Sequence, residues 1–262
     1  LVKLHPNENL YMNSLIGGLK GATEKKIPGV GETMGNAYLQ GILWLNEHAE
    51  KNAKFGIPVG LGSNYPPQFL RKDIQFGGYF SGMRRDGEYM IEMLSVEFPF
   101  HRYNYDYLDR FLVPVYVKSV DGVPILKVWK NDIEHTKPGF INEMEEKGVV
   151  VGKEYDGSSL SMALKEPAFV TKIEINYDNN NCVADLVGEF SYSPDGKREY
   201  LYSNESSLGQ GIYAASLQAP NKLVYFYPAV EARQLYIAPH NPSSCLLSVK
   251  DVRVFSLRDI RP

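Results

Sequence analysis

Asp106 and Asp109 lie close together among Tyr103, Tyr105 and Tyr107. Two carboxylates can share acid–base work on a glycosidic bond, and tyrosine rings can stack on the C–H faces of sugars. A solvated, tyrosine-rich loop or edge strand accounts for the same residues without a ligand. Arg84-Arg85-Asp86-Gly87 offers two guanidinium groups, which can clamp a phosphate bidentately; a turn with a surface ion pair is the plainer reading. Tyr202 and Asn204 open a polar segment, 203–210, rich in side chains that hydrogen-bond hydroxyls. The glycan-binding candidates are therefore Tyr202, Asn204, Arg84, Arg85 and Tyr105.

Other chemistries find little in the chain. Gly29-Val30-Gly31 lacks the further glycine and the preceding strand of a phosphate loop. His5, His48, His101, His135 and His240 are scattered, with no spacing that suits zinc, so no metal site is expected. Residues 178–181 carry oxygen ligands of the kind calcium takes, but they also make an ordinary turn. A Gly-x-Ser-x-Gly elbow is absent. No catalytic residue and no cofactor is assigned. Asn204-Glu205-Ser206 forms an N-glycosylation sequon.

The elements that must position these residues divide the chain in two. Tyr38, Ile42, Leu45 and Ala49 recur at helical spacing, which predicts a helix capped by Thr33 and running to about Lys54. A strand at 57–61 should follow, with another over 88–95. Asp121-Gly122 between two β-rich runs is a hairpin signal. After Pro167 the pattern is strand throughout: Ile173, Ile175 and Tyr177 alternate with Lys172, Glu174 and Asn176. Further strands are expected at 183–192, 198–202, 211–217, 223–227, 234–238 and 246–255, separated by turn formers. The fold class is α+β. An N-terminal α/β domain with one long helix, residues 1–135, precedes an all-β antiparallel sandwich, residues 136–262. In the final strand Leu247 and Val249 are apolar at odd positions, Val252 and Val254 at even ones. One inserted residue reconciles them on a single face, which predicts a β-bulge at Lys250-Asp251.

The 262 residues carry a formal net charge of −3, and the isoelectric point is about 6.0. That balance argues against nucleic acid or an anionic membrane surface as a partner. No apolar run approaches the roughly 20 residues of a membrane helix. Cys182 and Cys245 fit either two buried thiols or a disulfide formed in an oxidising compartment.

His5-Pro6, Asn9-Leu10-Tyr11-Met12-Asn13, Gly17-Gly18 and Gly21-Ala22, followed by Trp44-Leu45-Asn46 and by Gly122–Ile125 before Val128-Trp129, form one series. It resembles the region after the last membrane helix in glycosyltransferases related to the dolichyl-phosphate-mannose protein mannosyltransferases. The resemblance covers about residues 4–130 and departs from the family at Pro28–Thr33, where an acidic-aromatic stretch is usual. The second half is similar to galactose-binding-type jelly rolls through residues 191–196, Arg233–Ile237 and Val249–Phe255. Together these resemblances imply a soluble extracytoplasmic accessory domain of a polyprenyl-phosphate-sugar-dependent membrane glycosyltransferase. Such a domain is tethered by a membrane region preceding Leu1, works outside the membrane, and has a glycan or glycosyl acceptor and the membrane-embedded part of its own polypeptide as partners. The family's catalytic carboxylate lies in an early loop between membrane helices, so none is carried over and this chain alone is expected not to transfer or hydrolyse sugars. Two alternatives stay open: a secreted carbohydrate-binding protein without catalytic activity, and a glycoside-processing enzyme using Asp106 and Asp109.

Overall fold

The computed structural model describes residues 6–28, 30, 36–57, 66–77, 81–93, 102–140, 144–153, 159–178, 188–193, 195, 199–201, 216–219, 221–239 and 249–257. They form a mixed α+β chain with two separate sheets. By packing, the chain divides into Leu1–Tyr79 with Gly87–Thr136, and Phe80–Asp86 with Lys137–Pro262.

The first unit opens with two 3-10 turns, Glu8–Leu10 and Ser14–Ile16. Asn13 caps the second by accepting hydrogen bonds from the Leu15 and Ile16 amides. Helix α1, Gly18–Glu24, follows at once, where the glycines alone suggest only turns. Gly21 makes this possible: a Cβ there would lie 1.9 Å from the Ile16 carbonyl oxygen, so the turn and the helix can meet only at a glycine. Helix α2, Asn36–His48, buries Ala37, Tyr38, Gly41, Ile42 and Leu45, the stripe its spacing predicts. It ends six residues short of Lys54, because the Ala53 carbonyl already accepts from the Gln75 amide and β1, Lys54–Gly56, begins there. The observed strand ends at Gly56, just before the strand expected at 57–61, and Ile57 is not part of it; residues 58–61, like Thr33, lie outside those described.

The remaining elements are β2, Gln75–Phe76; β3, Tyr89–Met93; α3, Arg102–Phe111; β4, Tyr116–Val120; and β5, Val123–Lys130. Their sheet runs β2-β1-β3-β5-β4. β1 pairs in parallel with β2 and β3, whereas β3, β5 and β4 are antiparallel. Asp121 (φ 49°) and Gly122 (φ 77°) form the predicted hairpin turn with both residues left-handed. Leu10, Leu19, Ala22, Ile42, Leu45, Phe55, Ile91, Leu126 and Val128 share one core. Each fully buried Leu, Ile or Phe contributes about 1.5–3 kcal/mol. Helix α3 corrects the reading of Tyr103–Asp109 as a loop or edge strand. Its tyrosines are indifferent helix formers, but Tyr107, Leu108 and Phe111 recur at helical spacing and all three are buried.

The second unit holds β6, Met144–Lys147; β7, Val149–Lys153; β8, Leu160–Tyr177; β9, Gly188–Ser193; β10, Glu199–Leu201; β11, Ser216–Ala219; β12, Lys222–Pro239; and β13, Val249–Leu257. The antiparallel sheet is ordered β10-β9-β12-β8-β13-β6, with β11 on β12 and β7 on β8. β8 and β12 are 18 residues each and pair along most of their length. The first part of β8 pairs with β7 and the second part with β13. Likewise the first part of β12 pairs with β11 and its second with β9. The sandwich is thus carried by two strands common to both of its parts.

Each long strand changes register at a proline. Between the pairs Phe226↔Lys172 and Val230↔Val170, β12 has extra residues that include Pro228. Between Ala232↔Ala168 and Gln234↔Ala163, β8 has extra residues that include Pro167. Proline cannot donate to the ladder, so an irregularity is where a strand tolerates it. The buried side of β8 accordingly switches from Leu160, Met162 and Leu164 to Ile173, Ile175 and Tyr177. The strands expected separately at 223–227 and 234–238 are therefore one.

The bulge expected in β13 is present. Val249 pairs with Tyr177 and Asp251 with Asn176, leaving Lys250 as the extra residue. Val252 and Val254 then face Ile175 and Ile173 and are buried, while Lys250 and Asp251 are exposed. Val249 is half-buried on the same side. Leu247 lies outside the described residues.

Candidate functional site

A cluster of ionisable groups in the first unit forms where α3 meets the sheet. Glu92 on β3 and Lys127 on β5 are directly opposite in register, which puts both side chains on one face. Trp129, two residues along β5, lies on that face as well and donates its indole N–H to Glu92 Oε2 at 2.8 Å. Lys127 Nζ stands 3.8 Å from Glu92 Oε2 and 2.5 Å from Asp109 Oδ1 on α3. It also lies 5.3 Å from the centre of the Trp129 ring.

Glu92 is only 12% exposed at its side chain, against 52% for Asp109. Burial pushes the Glu92 carboxyl up to about 7; Lys127 opposes the rise, Asp109 adds to it, and the Trp129 hydrogen bond holds it back. A carboxyl titrating near neutrality beside an ammonium can exchange a proton at physiological pH. Asp109, one of the two carboxylates singled out by sequence, is thus brought to Lys127. Asp106 and Tyr105 lie on the same helix, and their side chains are outside those described. Glu92 carries no sequence signal beyond being an acidic residue in an otherwise apolar strand.

Next to this cluster a buried polar chain ties α3 to the strand ends. Tyr107 donates to Asn131 Oδ1 at 2.8 Å, and Asn131 Nδ2 donates to Glu88 Oε1 at 2.8 Å. Asn131 and Glu88 are fully buried, and their backbones extend the β3–β5 ladder. A separate network joins Glu50, Tyr89, Lys130, Asp132 and His135. Tyr89 donates to Glu50 at 2.7 Å, Lys130 lies 3.3 Å from Glu50 and 3.6 Å from Asp132, and His135 Nδ1 is 2.7 Å from Asp132. Trp44 stacks on His48 and on Tyr116, with centroid distances of 4.6 and 5.5 Å.

In the second unit Arg84 and Arg85 have different partners. Arg84 forms a two-oxygen ion pair with Asp86. Arg85 is buried, with its backbone in the left-handed region, and donates through Nη2 to the Phe140 carbonyl at 2.7 Å. Its Nε has no hydrogen-bond partner. Elsewhere in this unit Glu174 gathers cations. Lys172 lies at 2.8 Å, Lys222 at 2.9 Å and Arg253 at 3.6 Å, while Arg253 also pairs with Glu146 at 2.5 Å. Burial pushes Glu174 up, but hydrogen bonds from the two lysines outweigh it and hold the carboxyl below its ordinary value.

Tyr202, Asn204, Cys182 and Cys245 lie outside the described residues. Among those described, no three His, Cys, Asp or Glu side chains are grouped to hold a metal ion. No helix among them is long and apolar enough to cross a membrane. No protein-family model matches the chain, and no curated protein sequence does so.

Proposed function

We propose that the chain is the extracytoplasmic accessory region of a polyprenyl-phosphate-sugar-dependent membrane glycosyltransferase, and that it binds a glycan or acceptor outside the membrane rather than performing the transfer. In this reading the second unit is a galactose-binding-like jelly roll that contacts sugar through loops at one end, Tyr202 and Asn204 among them.

One observation carries the proposal: the residues that resemble the mannosyltransferase-related region hold structural tasks that few other residues can perform. Asn13 caps a 3-10 turn, and Gly21 sits where no Cβ fits. Leu45 is fully buried. Asn46 clamps a loop, donating to the Phe69 carbonyl and accepting from the Arg71 amide, both at 2.7 Å.

A glycan array with the purified chain, followed by titration of any hit, tests the binding step. Affinity in the millimolar range or tighter, lost in Tyr202→Ala and Asn204→Ala, supports it. No signal on any glycan at millimolar ligand defeats it. Turnover of a glycoside or lipid-phosphate sugar by the chain alone, lost in Asp109→Asn, would instead favour a processing enzyme.

A further inference from the structure

Phe80–Asp86 belongs to the second unit, although it lies in the chain between β2 and β3 of the first. From Ser81 to Asp86 the backbone closes on itself. The Arg84 and Arg85 amides donate to the Ser81 and Gly82 carbonyls, and the Asp86 amide donates to Ser81 Oγ at 2.9 Å. The turn has two sides. Gly82, Met83 and Arg85 are buried, while Arg84 and Asp86 are exposed and pair with each other. Its 3-10 turn, Gly82–Arg84, packs on β12 and β8, and Arg85 Nη2 donates to the Phe140 carbonyl at 2.7 Å.

The chain on either side of the Arg85–Phe140 bond is gathered by the first unit. Two residues after Arg85, the Gly87 amide donates to the Asn131 carbonyl at 2.9 Å, and the Asn131 amide donates to the Glu88 carbonyl at 2.9 Å. Phe140 follows nine residues after Asn131. While these bonds hold, the loop closed by Arg85 and Phe140 spans about 11 residues; once they open it spans about 55. The chance of closure falls as about the 3/2 power of loop length, so the intact β3–β5 ladder favours the docked turn about tenfold. We propose that residues 81–86 are a strap on the second unit and that the β3–β5 pairing of the first unit clips this strap in place, so that opening the first unit loosens β8 and β12. The coupling needs no ligand and stands apart from the glycan-binding reading.

Hydrogen exchange of the whole chain, read by mass spectrometry over β8 and β12, tests the coupling. Both tryptophans, Trp44 and Trp129, belong to the first unit, so their emission confirms that it stays folded in each variant. A flexible insertion of about 20 glycines and serines between Asp86 and Gly87 removes no contact but lengthens the clipped loop to about 31 residues, and exchange in β8 and β12 should become about fivefold faster. The same insertion between Asp121 and Gly122, which lie outside the clipped loop, should leave that exchange unchanged. Met83→Asp places a charge under the strap at a residue 6% exposed and should speed exchange in β8 and β12 by about tenfold or more. Exchange unmoved by the insertion at Asp86-Gly87, or speeded equally by the insertion at Asp121-Gly122, overturns the clip. Faster exchange in β1–β5 of Met83→Asp with β8 and β12 unchanged overturns the strap. Should Met83→Asp not fold, the insertions, which replace no residue, decide.

Discussion

Glu92 in the first unit and Glu174 in the second are both largely buried carboxylates in the middle of a sheet, yet the fold moves them in opposite directions. Glu92 has one cation, Lys127, at 3.8 Å, and shares it with Asp109 at 2.5 Å. Glu174 has Lys172, Lys222 and Arg253 within 3.6 Å. Burial raises both, and only the second is compensated. What fixes the state of each acid here is its desolvation set against the number of cations directed at it. One carboxylate is organised as an anion inside a charge lattice; the other is poised between two protonation states.

The largest expected effect breaks the contrast from the Glu92 side. Its folded pKa, about 7, exceeds its ordinary 4.5, so the folded chain holds the proton more tightly than the unfolded one. The stabilisation is fully present below about pH 4.5 and is lost as pH rises through 7. Integrated over that window it amounts to about 3 kcal/mol. Glu92→Gln should stay neutral at every pH and remove this slope, gaining about that much over the parent at pH 8. Urea unfolding of both proteins across pH 5–8 measures it, and parallel curves would refute the poised carboxyl.

Next in size is the loss of the anion from the lattice. Glu174→Ala leaves three cations facing one another, and because they are partly exposed the cost should be about 2 kcal/mol at pH 7, not the larger value of a sealed pair. The pH dependence has the opposite sense. Glu174 is held below its ordinary value, so its contribution is complete above about 4.5 and disappears as pH falls further. Loss of stability in the variant at pH 7, shrinking toward acid, is the expected outcome of chemical denaturation. A variant as stable as the parent at pH 7 would mean that the lattice contributes nothing net.

The smallest effect sharpens the comparison. Asp109→Asn removes a negative charge that raises the Glu92 carboxyl and releases Lys127 to it. The Glu92 titration, followed by carbon NMR, should move down by a few tenths of a unit, since Asp109 is half exposed and screened. A move upward would show that Asp109 does not set the state of Glu92.

Sequence patterning made the main elements legible and left the charge contrast hidden. Helix α2 and the β13 bulge were visible because apolar spacing reports directly on which side of an element is buried, and the hairpin because Asp121-Gly122 suits a turn with both residues left-handed. Helix α3 was obscured by Tyr103, Tyr105 and Tyr107, which suit strands as well as helices. The unity of β12 was hidden by Pro228, which reads as a break until a bulge accommodates it. Neither Glu92 nor Glu174 could be ranked beforehand. Apart from Lys172, two residues from Glu174 on the same strand, their partners come from other strands and a helix far along the chain, so their states follow mainly from register. Arg85 was visible as half of an arginine pair; its burial and unshared Nε were not.

The extra residue in β13 bears on which changes of chain length the protein can survive. Losing one codon inside a strand normally turns every later side chain to the wrong side. Lys250 is an exception. Val249 already sits opposite Tyr177, and Asp251 opposite Asn176. A chain lacking Lys250 would keep both pairings and simply become a regular ladder. A chain lacking Arg253 instead would move Val252 or Val254 out of the apolar layer. In β13 the tolerance to deletion is thus confined to the one position that the ladder does not count.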